Sequence, residues 1–229
     1  MKLRSNTFCI PQIFTNIKTY LENVTLSISV THEDGRLNSC VDEQMILSHI
    51  ISHFNTEKEI IVAPKKRWWY DFKVYDDDLE RWFPVNIKST TTETSDNIGN
   101  LTTIVQAYTS YNLDLNNRYN NGILTDIFKM CKREEMWNRD IYKDYYFLVI
   151  DKKEKRIIIN SVLGLSILTK NKNNLPFQIK WKNNLFYHLE DENPETHIYL
   201  QIQKFLNLYR IEKVTWQEKF LEELRINWV

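Results

Sequence analysis

The sequence predicts a mixed α/β fold: a twisted sheet flanked by helices. Three observations predict it. Segments with apolar residues at helical spacing are interleaved with segments of strict period-two alternation. No internal repeat and no long Pro/Gly/Ser-rich linker interrupts the 229 residues, so one domain over 1–229 is expected. Hydrophobic residues make up 42% and aromatic residues 13%, enough apolar side chain for a substantial core and too much for a disordered chain.

The elements follow in order. Pro11 suits a first helical position, and Ile10, Phe14, Ile17 and Leu21 recur at spacings of three and four, so a helix is expected to Asn23. Leu26 to Val30 alternates as a strand, and Glu33 to Arg36 is a turn. A second helix is expected over Asn38–Phe54, with Asn38 or Ser39 as cap and Val41, Met45, Leu47, Ile50, Ile51 and Phe54 as its apolar face. Ile60 to Val62 is a short strand closed by Pro64. Tyr70 to Tyr75 and Trp82 to Lys88 then form a hairpin about a solvated Asp76-Asp77-Asp78 turn.

Residues 89–97 read as a polar loop, Asn100 to Tyr111 as either strand or helix, and Ile123 to Met130 as helical. A hairpin is expected from Tyr145–Ile150 and Arg156–Ile159 across residues 151–154. An Asn/Lys-rich run leads into Leu175 to Trp181. Two closing helices fall at about 194–210 and 215–226, the second with a capping box of Thr215 and Glu218.

Composition narrows the function. Thirty basic and thirty acidic residues give no net charge, so nucleic-acid binding would need locally clustered bases with acids at work nearby. No apolar run is long enough to span a membrane, and no apolar segment follows the basic N-terminus as a secretory leader would require. Cys9, Cys40 and Cys131 have neither disulfide-framework nor metal-ligand spacing. They read as buried hydrophobes in a reducing cytoplasm. His49 and His53 share a helix face without a third ligand at zinc spacing, and read as structural or surface residues. There is no Gly-rich phosphate loop and no nucleophile elbow.

The chemistry concentrates in the first hairpin. Asp71 interrupts one strand pattern, and Asn86 and Lys88 interrupt the next. Residues 86 and 88 share a strand face, and an antiparallel neighbour can bring Asp71 beside them. A carboxylate there suits Mg²⁺, a hard cation that takes oxygen ligands. A lysine suits the orientation or activation of a water that attacks phosphorus.

The strings Tyr70-Asp71-Phe72-Lys73-Val74-Tyr75 and Pro84-Val85-Asn86-Ile87-Lys88-Ser89-Thr90 resemble the catalytic core of the PD-(D/E)xK nucleases. The resemblance is strongest to type II restriction endonucleases of the EcoRV-like subgroup. It covers about residues 40–111 and implies a restriction-endonuclease-like core over about 38–111. It also implies that Glu43, on a helix 28 residues before Asp71, is the auxiliary metal-binding acid, with Asp42 as the nearer competitor. Lys65-Lys66-Arg67-Trp68-Trp69 stands in the place of a DNA-contacting loop, where bases neutralise phosphates and rings stack or wedge. Tyr108-Thr109-Ser110 matches a Tyr-Thr-Ser run beyond the catalytic strands, and Thr90 closes the second string.

A candidate DNA-recognition region spans about 160–190. There Asn173, Asn174 and Gln178 can bond base edges, while Lys170, Lys172, Lys180 and Lys182 hold phosphates.

Two positions depart from the pattern. Tyr70 replaces a proline, which the superfamily tolerates. Asn86 stands where the pattern has Asp or Glu. Its carbonyl oxygen can ligand a metal but brings no charge. Three readings follow: an inactive variant made to trap DNA uncut, a natural variant relying on Glu43, or a non-catalytic binder. The first is favoured, because one Asp→Asn change leaves the shape nearly intact.

The resemblance thus implies a bacterial, cytoplasmic, Mg²⁺-dependent enzyme of a restriction–modification system. It would be a homodimer cutting double-stranded DNA at a palindromic site, with Asp71, Asn86, Lys88 and Glu43 as catalytic residues. The alternatives are a catalytically silent nuclease-fold DNA-binding protein and a structure-specific repair or recombination nuclease.

Overall fold

The computed structural model describes residues 10–26, 35–64, 70–93, 95–97, 144–170 and 177–192, and helical positions 196, 197, 200, 201 and 204. Most of the strand expected at 26–30 lies outside the described residues. So do the Lys65–Trp69 loop, the stretches 100–111 and 113–143, the 171–176 run and most of the closing helices with their capping box.

Two helices described end to end and eight strands order the described residues. The helices are α1 (Gln12–Asn23) and α2 (Gly35–Phe54). The strands are β1 (Ile61–Val62), β2 (Phe72–Asp76), β3 (Arg81–Thr90), β4 (Ser95–Asn97), β5 (Tyr146–Asp151), β6 (Arg156–Ser161), β7 (Thr169–Lys170) and β8 (Phe177–Lys180). A mixed sheet runs β1-β2-β3-β5-β6, and a smaller one runs β4-β8-β7. Only the β3–β5 pair is parallel among these ladders. A parallel pair cannot be closed by a tight turn, and β4 lies in the long connection between the two strands.

Period-two alternation explains the core. Phe72 and Val74 on β2, and Phe83, Val85 and Ile87 on β3, point to one face of the sheet and are buried. Phe14, Ile17 and Leu21 of α1, with Ile46 and Ile50 of α2, cover that face. Phe14 stacks on Tyr146 at 4.1 Å and meets Phe83 edge-on at 6.1 Å. Losing such a buried ring typically costs about 3–5 kcal/mol. Strand β5 is buried along its whole length, as a central strand between two neighbours should be.

Several expectations are corrected. Helix α2 begins at Gly35, three residues early, so Asn38 and Ser39 lie inside it rather than capping it. Its buried face is Asp42, Ile46 and Ile50, at spacings of four, whereas Val41 is 47% exposed. Pro11 precedes α1 instead of opening it. Asp76 is not solvated: it is buried and accepts the N–H groups of Leu79 at 2.9 Å and Ile13 at 3.3 Å, tying the β2–β3 turn to α1. Residues 89–97 are not all loop, because β3 runs to Thr90 and β4 begins at Ser95. Trp181 ends the β8 run by opening a 3₁₀ turn, and Cys40 is exposed.

Candidate active site

The site forms where β2 begins and β3 continues past it. Phe72 pairs with Val85, and Asp71 stands one residue before that pair, just outside β2. The Asp71 N–H closes the ladder on the Val85 carbonyl at 2.9 Å. Beyond that point β3 pairs with β5 along one edge, from Val85 to Thr90. Its other edge meets no strand among the described residues, so its N–H and C=O groups need other partners.

Two acids and a serine take that role. Asp71 Oδ2 accepts the Ile87 N–H at 2.7 Å. The Glu43 carboxylate takes a backbone hydrogen bond from Ser89, and the Ser39 hydroxyl donates to the Ser89 carbonyl at 2.8 Å. Ser39 and Glu43 are four residues apart, on one face of α2. The helix therefore stands in for the missing strand at Ser89. The backbone's need for partners draws Asp71 and Glu43 to the same end of β3.

Asn86 and Lys88 alternate with the helix-facing Val85, Ile87 and Ser89, so they point to the opposite face. Lys88 Nζ lies 4.0 Å from Glu43 Oε1, with each side chain about three-quarters buried. The Asn86 amide N–H donates to the buried Tyr145 hydroxyl. Asn86 Oδ1 is buried with no hydrogen-bond partner among the described residues.

Burial raises all three carboxyls of the site. Burial pushes the Glu43 carboxyl up to about 7; Lys88 and Ser89 pull it down, while Asp71 and Asp96 push it further up. Burial also raises Asp71 against Lys88 and the Ile87 N–H. Asp96 is raised for the same first reason, opposed by Trp181, Lys88 and Thr90. Buried carboxyls that resist ionisation, with Lys88 as their cation among the described residues, suit a site that binds a further cation.

The donor chemistry fits a hard divalent cation. Glu43 and Asp71 offer carboxylate oxygens, and Asn86 Oδ1 is a buried acceptor lacking a donor. The amide supplies a neutral oxygen. No group of three or more His, Cys, Asp or Glu able to hold a metal occurs among the described residues.

The remaining expected residues divide. Asp42 is fully buried, with Ser89 Oγ donating to it at 3.1 Å and Lys152 Nζ at 2.7 Å, so it belongs to the packing of α2 on the sheet. Thr90 ends β3, its hydroxyl donating to Asp96 Oδ1 at 3.3 Å. Gln178 and Lys180 lie on β8, half-buried, and Lys170 on β7 pairs with Phe177. Lys65, Lys66, Arg67, Trp68, Trp69, Tyr108, Thr109, Lys172, Asn173 and Asn174 lie outside the described residues.

Sequence reasoning missed Asp96, Trp181 and Tyr145 as neighbours of the site. Asp96 stands in a Ser/Thr-rich stretch with no apolar alternation to mark it. Tyr145 opens an apolar strand and looks like core.

No model of a known protein family matches the chain, and no curated protein does. The reading of the site therefore rests on its residues and their geometry. Among the described residues no helix is long and apolar enough to cross a membrane.

Proposed function

We propose that the chain is an Mg²⁺-dependent endonuclease that hydrolyses double-stranded DNA at specific sites, on a restriction-endonuclease-like core. One observation carries this reading. The Asp71 carboxylate is bonded to the Ile87 N–H, midway between Asn86 and Lys88, with Glu43 4.0 Å from Lys88. Two acids and a lysine lie along one stretch of β3, with the unpartnered amide oxygen of Asn86 two residues from the lysine.

Asp71, Asn86 and Glu43 would hold the cation. When bound, it supplies charge neutralisation for the phosphoryl group. Lys88 orients the attacking water by hydrogen bonding. The water oxygen forms a bond to phosphorus and gives up a proton to solvent, as the bond to the leaving sugar oxygen breaks and that oxygen takes a proton from solvent. Asp71 is held against rotation by Ile87, and Tyr145 holds the amide of residue 86.

The protein acts as a homodimer in this reading. Two-fold symmetry lets each subunit read one half of a palindrome and cut one strand. Its setting is the bacterial cytoplasm, within a restriction–modification system. A second reading, a nuclease-fold protein that binds DNA without cutting it, draws on Asn86. Its amide brings no charge, and its N–H has a partner in Tyr145.

The test is to incubate the protein and its Asn86→Asp version with phage DNA and Mg²⁺. Discrete fragments support a site-specific endonuclease. A smear points instead to a nuclease without sequence preference. Duplex binding without cutting by either protein supports the silent binder.

A further inference from the structure

The proposed chemistry leaves Asp96 without a part. This half-buried acid sits on β4 opposite Ile179 of β8. Its Oδ2 accepts the indole N–H of Trp181 at 2.6 Å, and its Oδ1 shares the Thr90 hydroxyl, at 3.3 Å, with the Thr91 carbonyl. Hydrogen bonds to an ionised acceptor are the stronger kind, and the indole N–H can only donate.

Each partner leads to the site. Thr90 lies on the face of β3 that carries Asn86 and Lys88, two residues beyond the lysine. Trp181 is fully buried and follows β8 directly. Its ring meets Phe147 edge-on at 5.2 Å, and Phe147 is the ladder partner of Asn86. The charge of Lys88 is felt at Asp96, and that of Asp96 at Glu43, so the three groups share one electrostatic neighbourhood.

We propose that Asp96 is a positioning residue: through Trp181 and Thr90 it clamps the β4-β8-β7 sheet onto the end of β3 and sets where Lys88 stands. This rests on the endonuclease reading of the site. The clamp also gives β8, with Gln178 and Lys180, a two-hydrogen-bond path to the catalytic strand. Duplex contacts made on β8 therefore bear on the geometry of Lys88.

The test uses the full chain in the Asn86→Asp form. Trp181→Phe keeps the ring against Phe147 and removes the N–H. Asp96→Asn keeps the shape and removes the charge. Each should lower single-turnover cleavage by about tenfold to a hundredfold, the scale of a small misplacement of reacting groups. Duplex Kd without metal should stay within about twofold, since the loss is confined to the transition state. The indole N–H signal of Trp181 should move upfield in Asp96→Asn, and Asp96→Glu should restore part of the rate.

If both variants cleave like their parent, the clamp is wrong and the endonuclease reading stands. The clamp is equally wrong if cleavage, duplex affinity and unfolding midpoint all fall together, because the role is then structural. A parent that does not cut duplex, whether or not it binds it, overturns the endonuclease reading, and the clamp with it.

Discussion

Asp71 Oδ2 accepts the main-chain N–H of Ile87 at 2.7 Å, across the point where β2 leaves β3. The bond serves the Ile87 N–H, which has no ladder partner on β2. It also fixes a carboxylate against the two residues flanking Ile87. Position 86 is thus the place where one added charge has most effect.

Asn86→Asp should raise Mg²⁺-dependent cleavage by orders of magnitude, because a second carboxylate beside Asp71 strengthens metal binding and fixes its geometry. Without metal the two like charges repel, so the variant should melt lower than its parent and regain stability as Mg²⁺ is added. Lys88→Ala in that background should abolish cleavage and leave duplex affinity nearly intact. Single-turnover assays and melting curves check this. Equal cleavage by the parent and Asn86→Asp would sink the metal-site assignment.

The neighbours Asp42 and Glu43 should separate cleanly. Asp42 is buried against Lys152 at 2.7 Å, and removing one partner of a buried pair typically costs about 3–5 kcal/mol. Lys152→Met should therefore lower the urea midpoint strongly without entering the chemistry. Glu43→Gln should do the reverse, weakening Mg²⁺-dependent cleavage with little change in unfolding. An Asp42→Asn protein of full stability would contradict the structural role given to Asp42.

Asp144 predicts a pH dependence of stability. Burial pushes its carboxyl from 3.8 up to about 7, against hydrogen bonds from Ser161, Tyr145 and Leu163. Below 3.8 both the folded and unfolded chains hold the proton, and this contribution is fully present. Between 3.8 and about 7 only the folded chain holds it, so stability falls as pH rises through that window. Asp144→Asn should remove this slope. The difference between the two proteins should change by roughly 4 kcal/mol between about pH 4 and about pH 8. Urea unfolding across that range measures it, and parallel pH profiles would show that Asp144 does not carry a raised pKa.

Strand β8 should divide its work between base reading and phosphate holding. Truncating Gln178 should cost about 1–3 kcal/mol at one base position of the cognate duplex. Truncating Lys180 should weaken all duplexes alike and flatten the salt slope by about one unit. The Asn173 and Asn174 truncations should behave like that of Gln178. Binding to cognate and scrambled duplexes at several salt concentrations distinguishes them. If the Gln178, Asn173 and Asn174 truncations reduce both equally, the reader lies elsewhere, in the Lys65–Trp69 loop or the stretch Asn116 to Asn121.

Side-chain parity along a strand and spacing along a helix are properties of the local backbone. Phe14, Ile17 and Leu21 of α1, and Phe72 with Val74 or Val85 with Ile87 on the hairpin, are therefore legible as core from the letters alone. Asp71, Asn86 and Lys88 stand out for the same reason, as polar residues breaking apolar strands. Other features depend on how distant segments meet. The choice between Asp42 and Glu43 is a choice of helix rotation, and Ile46 and Ile50 make it by packing on the sheet. The parallel pairing of β3 with β5, the amide of Asn86 on Tyr145, and Asp96 on Trp181, 85 residues away, have no local signal. Backbone edges and buried polar groups must find partners once the sheet is assembled. Which ones lack partners is known only when every strand has its neighbours.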